Sequence, residues 1–563
     1  MFNNNLNLRE EVSFGFKISD KQEQFQERWT NTIDSFLEQD KNIIINNAPN
    51  RIGKTITTLK YFLDKGLKVL YVSDRHNQIN EVDAKLNSES FRHWFGLDQL
   101  CSQKYKYNRE LLIKNNVSSR YLCKDCIVKK NCGYINQFQL RDIKMVGAPK
   151  EFLQSSYVDN FAPDIIVFDE IIDKGKKIEP ILPELDKEIF EEFDLEYYYY
   201  PYNYIKSFVD KKDFNLDKEI LEVLKDDAKL ISFEFEEIIY KIKYRNVTKD
   251  YHKIADLLKF IFNMNTTVKY IEMCINNGYN NLFEIPFIYD AFKLIEKHNC
   301  KLILLNTSLE PEIFQMLTNG YDKEIHDPIT FEYPIINDKS VLLHYNNNGR
   351  SFSKSTLFET HKNGKNKVKV KIDDSMNPII NKDTYAPEIF DMVFSTLEHS
   401  KKLEFKTGII TFKIATPIFH DKADVIGHFG GHQGSDQFDD VDVLIILGTF
   451  NLNPGALYQK YQCITQNYQI NKKDDWINSR RVNGMRLRYS DNEKLNQIKT
   501  YKLNEEHGQA IFRSGSHVQD KKIVIAFGLV PEGVEKTLTY STIKSKKGLK
   551  IALTKLFKKF QTQ

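Results

Sequence analysis

A chain of 563 residues exceeds the roughly 100–200 residues of a typical domain, so more than one domain is expected. Hydrophobic residues at 41% and charged residues at 28% are the ordinary mixture for a soluble globular protein with a core. A net charge of +3 excludes a polycation, so any surface for nucleic acid must be a local patch. No apolar run approaches the roughly 18 residues of a membrane span, and the N-terminal MFNNNLNLREEVSF lacks a charged-then-apolar signal layout. The expected location is the cytoplasm.

In chain order, the first informative stretch is KNIIINNAPNRIGKTITTLKYFLDKGLKVLYVS. Ile43 to Ile45 suit a buried parallel strand, and Ile56, Leu59, Phe62 and Leu63 mark one face of a following helix that Gly66 should stop. Val69 to Val72 begin the next strand. Between strand and helix, Ala48-Pro49-Asn50-Arg51-Ile52-Gly53-Lys54-Thr55 reads as a phosphate-binding loop with Ala in place of the usual first Gly. Its backbone N–H groups would wrap phosphates, Lys54 would supply a point charge to the β/γ-phosphates, and the Thr55 hydroxyl would ligate Mg²⁺.

Cys101, Cys123, Cys126 and Cys132 follow, four of the chain's seven cysteines. An odd total in a large chain argues against a secreted disulfide scaffold. Four thiolates spaced in this way can hold Zn²⁺ or a [4Fe–4S] cluster, or be reduced and buried without metal, and the spacing alone does not choose. Lys124, Lys129 and Lys130 around them could touch phosphates. Next, Asp164-Ile165-Ile166-Val167-Phe168-Asp169-Glu170 is an apolar strand ending in two carboxylates. Asp169 is placed to hold Mg²⁺ and Glu170 to polarise a water as general base.

Residues 173–298 read as mainly helical, with apolar residues at three- and four-residue spacing in LDKEILEVLKDDAKLISFEFEEIIYKIKY. Tyr197, Tyr198, Tyr199, Tyr200, Tyr202 and Tyr204 could stack on bases, but the acidic EIFEEFDLE before them favours plain packing of the insertion. From about residue 335 strands and helices alternate (SVLLHY, GIITFK, DVLIILG, KIVIAFG), which predicts a second parallel sheet with helices on both faces. The basic FSKSTLFETHKNGKNKVKVKIDD reads as a solvated loop rather than a hairpin near nucleic acid. Glu505-Glu506-His507-Gly508-Gln509-Ala510-Ile511-Phe512-Arg513 suits a helix that places Gln509 and Arg513 against the nucleotide from the second domain, Arg513 as an arginine finger. The final KSKKGLKIALTKLFKKFQTQ is a basic helix that either grips phosphates or docks through Ile551, Leu553, Leu556, Phe557 and Phe560.

Taken together, these blocks resemble superfamily 2 helicases, and especially the XPD/DinG-like branch that carries an iron–sulfur cluster. APNRIGKT is similar to that family's motif I, DIIVFDEII to motif II, LLNTSLEP to motif III, HFGGHQGSDQFDDVDVLIILGTF to motif V and EEHGQAIFR to motif VI. SDKQEQFQERW resembles the segment that reads adenine, with Gln22 or Gln24 as the reader, and motif V implies Gly434 and Asp436 at the nucleotide. The resemblance implies an α/β chain with two RecA-like parallel-sheet domains and ATP with Mg²⁺ between them. It further implies a cysteine-rich lobe with a [4Fe–4S] cluster (alternatively Zn²⁺), a mainly helical arch-like insertion, and single-stranded or forked DNA as partner, RNA being possible. The domains expected are 1–330, with the lobe at 97–140 and the insertion at 173–298, then 331–535, then a basic helix at 536–563.

The expected activity is an ATP-dependent helicase or translocase that unwinds DNA. The alternatives are an RNA-directed or duplex-translocating ATPase without strand separation, and a non-catalytic nucleic-acid-binding protein. Motif II lacks its usual final His, Gln433 and Asp436 stand where Arg and Asn are usual, and Ser516 replaces the second arginine of motif VI. These departures, with the many Asn, Ile, Lys and Tyr residues that suggest an AT-rich genome, point to a source in an archaeal virus or plasmid, and to a host cytoplasm as the location in that case.

Overall fold

The computed structural model describes residues 20–562 except 50, 102–122, 124–125, 127, 141, 171, 193–194, 212–218, 230–250, 278–282, 307–308, 334–335, 347–351, 364–366, 432–436, 469–477, 483–484, 517, 520 and 532–533. Asn50, Thr307, Ser308, Gln433, Gly434 and Asp436 therefore lie outside the described residues.

Seven strands build the first sheet: β1 (Ile43–Asn46), β2 (Val69–Ser73), β3 (Phe91–His93), β4 (Met145–Pro149), β5 (Ile165–Asp169), and, after the antiparallel ribbon β6 (Gly175–Ile178) and β7 (Phe283–Pro286), β8 (Lys301–Leu305) and β9 (Ile329–Phe331). Their order is β3-β4-β2-β5-β8-β1-β9, and every pairing is parallel. A parallel sheet is covered on both faces, so its strands read as unbroken apolar runs. Side-chain alternation deals the run to two cores. Ile44, Val69, Tyr71, Val167 and Ile303 pack beneath the helices α1 (Asp20–Leu37) and α2 (Lys54–Lys65). Ile43, Ile45, Leu70, Val72, Ile166, Phe168 and Leu304 form the other core. Trp29 Nε1 donates to Thr58 Oγ1 at 2.8 Å, fastening α1 to α2.

Ahead of β7 the described residues of the insertion are mainly helical, with α3 (Tyr199–Lys211) and α4 (Tyr251–Asn277) around their own apolar core. Tyr198 and Tyr202 are buried in that core, while Tyr197, Tyr200 and Tyr204 are exposed. After it, α5 (Ile288–His298) and α6 (Pro311–Asn319) flank β8.

The second sheet contains β10 (Asn337–Tyr345), the hairpin β11 (Thr360–Asn363) with β12 (Lys367–Val370) to one side, then β13 (Thr407–Thr411), β14 (Val425–His428), β15 (Val443–Leu447), a separate ribbon of β16 (Asn478–Val482) and β17 (Met485–Tyr489), then β18 (Ile523–Phe527) and β19 (Leu538–Ile543). Its order, β14-β13-β15-β18-β10-β19, is again wholly parallel. The fold is thus α/β with the two parallel-sheet domains expected, a helical insertion and a segment carrying the four cysteines.

Two expectations are corrected. The basic stretch read as a loop pairs as β11–β12, because Lys367–Val370 alternates lysine and valine at strand period. The basic C-terminal helix expected from residue 536 begins at Lys546, since Leu538–Ile543 first adds the edge strand β19.

Two helices of the second half cross over. The helices α7 (Pro454–Thr465) and α8 (Glu493–Ile511) place Leu457, Tyr458, Tyr461, Ile464, Leu495, Ile498 and Tyr501 in the same core as Ile43, Phe168 and Leu304. The terminal helix α9 (Lys546–Thr562) buries Leu549, Leu553, Phe557 and Phe560 in the second sheet's core while Lys546, Lys547, Lys550, Lys555, Lys558 and Lys559 are exposed. It therefore docks, and its lysines form an outer face. No helix among the described residues is long and apolar enough to cross a membrane.

Candidate nucleotide site

Strand register brings the two chemical motifs together. Across neighbouring strands Asn46, Leu305 and Asp169 stand level, so the loop after β1 and the carboxylates after β5 open at one sheet edge on either side of β8. That edge, outside the carboxyl ends of parallel strands, is where open α/β sheets receive ligands.

The loop is held from several sides. Ala48 N donates to Asn46 Oδ1 at 2.9 Å, and Gln22 Nε2 donates to the Arg51 carbonyl at 3.2 Å. Gln22 is thus the glutamine that reaches the loop, whereas Gln24 is exposed on α1. Gly53 caps α2 with φ 93°, a left-handed conformation that glycine adopts without a Cβ clash. Arg51 takes a similar conformation, φ 68°, against a cost of about 1–2 kcal/mol for a non-glycine residue. Its guanidinium pairs with Asp439, which precedes β15 in the second sheet. Pro49 and Ile52 complete the turn, Ile52 fully buried.

Lys54 begins α2 and is buried, its Nζ donating to the Ala48 carbonyl at 2.6 Å. Burial pushes its ammonium down to about 8, although the negative charges of Glu170 and Asp169 act in the opposite sense. Thr55 Oγ1 donates to Asp169 Oδ2 at 3.0 Å, and Tyr71 OH donates to the same oxygen at 2.9 Å. Burial, reinforced by Glu170, raises Asp169 to about 6 against the hydrogen bonds from Tyr71 and Thr55. Glu170 has φ 56°, and its N–H donates to the Leu305 carbonyl at 3.1 Å, so the chain turns sharply where the strand ends. The Thr55 hydroxyl and Asp169 carboxylate are hard oxygen donors side by side, a set that suits Mg²⁺.

The helix that carries the third motif, α8, has few of the features of a surface helix. Glu505, Glu506, His507 and Gln509 are all buried in it. Arg513 is buried too, but it lies beyond the helix, which ends at Ile511 with Phe512 as its cap. The four-residue spacing from Gln509 to Arg513 therefore spans a helix end rather than one helical turn. Gln509 Oε1 is buried without a hydrogen-bond partner among the described residues. Such an atom calls for a ligand or a water. Burial lowers His507 to about 3, so its ring is neutral, and its Nε2 accepts from the Phe450 N–H at 3.0 Å.

The four cysteines are a different matter. Cys101, Cys123 and Cys132 are buried and Cys126 is half-buried, but among the described residues no three His, Cys, Asp or Glu side chains are arranged to hold a metal ion. Cys123 packs against the apolar core of the insertion. A metal-holding set at these cysteines is thus not shown among the described residues.

Sequence reasoning did not single out Tyr71, Arg75, Asp173, Lys460 or Lys502. Tyr71 sits among apolar strand residues, where it reads as core. Asp173 and the two lysines lie far apart in sequence, and only the fold makes them neighbours.

No family model matches the chain, and no curated protein matches it. Among solved structures, one named "XPD_APO" aligns at a TM-score of 0.41 and 12% identity, covering 93% of this chain and 99% of that one. "Structure of S. tokodaii Xpd4" aligns at 0.42 and 13%, covering 90% and 95%, and "Truncated XPD" at 0.33 and 15%, covering 55% and 100%.

Proposed function

We propose that the chain is a nucleic-acid-dependent ATPase that unwinds or translocates along DNA, with Mg-ATP bound between domains 1–330 and 331–535. What supports this most is one juxtaposition: Lys54 at the head of α2 beside the Thr55–Asp169 hydrogen bond of 3.0 Å, with Glu170 next in the chain. A buried ammonium beside two half-buried carboxylates at a helix N-terminus is costly to keep unless a phosphate and a metal complete the charge balance.

In this reading the loop from Ala48 to Gly53 cradles the phosphates, and Lys54 draws the γ-phosphate forward. Mg²⁺, held by Thr55 and Asp169, would neutralise charge on the phosphate oxygens. Glu170 orients the attacking water and accepts its proton. Gln22 reads the base, and Gln509 and Arg513 meet the γ-phosphate from the second domain. DNA is preferred as substrate through the resemblance of the motifs. The exposed lysines of α9 offer a phosphate-binding face.

ATP turnover should be measured with single-stranded DNA, RNA and duplex DNA, beside strand separation on forks with either overhang. Stimulation by single-stranded DNA with unwinding is the expected result, and stimulation by RNA or duplex without unwinding would favour the other motor readings. Lys54→Ala should abolish turnover. Turnover unchanged in that variant would refute the ATPase assignment.

A further inference from the structure

A buried charge network lies just beyond the carboxylate pair, joining the two halves of the chain. Asp173, three residues after Glu170, is 2% exposed. Lys502 Nζ lies 3.0 Å and Lys460 Nζ 3.3 Å from its Oδ2, and Lys460 also donates to the Asp173 carbonyl at 2.6 Å. Lys460 is on α7 and Lys502 on α8, both from the second half of the sequence. Lys502 pairs in turn with Glu505, and Glu506 accepts from the Gly430 N–H at 3.0 Å. Arg75, after β2 of the first sheet, donates to the Gly430 carbonyl at 3.4 Å.

Lys502, Glu505, Glu506 and Gln509 follow helical spacing, so they form one stripe along α8. A stripe of this kind normally faces water, whereas here Glu505, Glu506 and Gln509 are buried and Lys502 is largely covered. Burying a carboxylate between two ammonium groups rarely stabilises a fold more than apolar residues of the same volume would. What such a network does supply is a fixed register, because the charges match in one arrangement only.

We propose that Asp173 is a positioning residue for the Gln509–Arg513 end of α8. Through Lys502 it fixes the rotation of the helix, and through Lys460 it fixes the neighbouring helix. The acidic end of β5 and the polar end of α8 therefore keep one relative placement. The proposal rests on the ATPase reading for its purpose, since Gln509 and Arg513 are the groups being placed, but the anchoring itself can be read without turnover.

The test is hydrogen exchange and ATP turnover on the full chain for wild type, Asp173→Asn and the triple variant Asp173→Leu/Lys460→Met/Lys502→Met. In Asp173→Asn, amides of 505–511 and those of Gly430 and Phe450 should exchange at least tenfold faster, with strands β1 and β8 unchanged. The apolar triple variant, which removes the buried charges together, covers the case in which Asp173→Asn fails to fold. It should keep its melting temperature while kcat falls at least tenfold with KM for ATP unaltered. Unchanged exchange in a folded Asp173→Asn, or wild-type kcat in the triple variant, would overturn the proposal. If the wild type itself hydrolyses no ATP, the ATPase reading falls and the exchange result alone decides the anchoring.

Discussion

At Lys54 and Asp169, opposite charges are held near neutrality by the same cause. Burial lowers the ammonium to about 8 and raises the carboxyl to about 6, so between these values both are ionised. Phosphate attraction needs Lys54 protonated and cation binding needs Asp169 ionised. The kcat/KM for ATP, which reports the free enzyme, should therefore be bell-shaped, falling below about pH 6 and above about pH 8. A profile flat from pH 5 to 9 would contradict the assigned roles. Stability has the other sign for the acid. The folded state retains a proton on Asp169 that the unfolded chain releases near its ordinary value, so this group's contribution is present at low pH and is lost as pH rises through about 6.

Among the elements, strand–loop–helix units were the most legible in the sequence. The limits of β1, α2 and β2 follow from Ile43–Ile45, the Gly66 stop and Val69, and the structure places Gly66 at φ 70° as the cap of α2. The reason is local: a buried parallel strand and a capped amphipathic helix are written in consecutive residues. What sequence could not show depends on contacts between distant residues. Nothing near Asp173 announces Lys460 or Lys502, and nothing at Gln24 says that α1 turns it outward while Gln22 meets the loop. The spacing of Gln509 and Arg513 fits a continuous helix, although the cap of α8 falls between them. For α9, where sequence left gripping and docking open, the buried row of Leu549, Leu553, Phe557 and Phe560 supplies the docking. Phe557 stacks near Phe405 and His399, so Phe557→Ala should destabilise the chain by about 3–5 kcal/mol, read as a lowered urea midpoint. An unchanged midpoint would mean that α9 does not contribute to the cooperative unit.

At the scale of the molecule, the two sheets are not joined by a cleft alone. Core residues from α7 and α8 sit among those of the first sheet, and the Arg51–Asp439 pair spans from the phosphate loop to the approach to β15. Thermal unfolding of the whole chain should therefore show one transition rather than two, checked by calorimetry against the van't Hoff enthalpy. A fragment of residues 331–563 should self-associate, because Tyr458, Tyr461, Leu495, Ile498 and Tyr501 would lose their cover. Two resolved transitions would show that the helices pack without coupling the halves.

The crossing of α7 and α8 also bears on how the protein is made. A ribosome releases β1 and β5 long before the residues that close their core, so the N-terminal half emerges with one apolar face open. It must wait in that state until Tyr501 has cleared the exit tunnel. The order of synthesis thus runs against the order of burial, and the nascent chain, rather than the finished protein, is where this architecture is most exposed to aggregation.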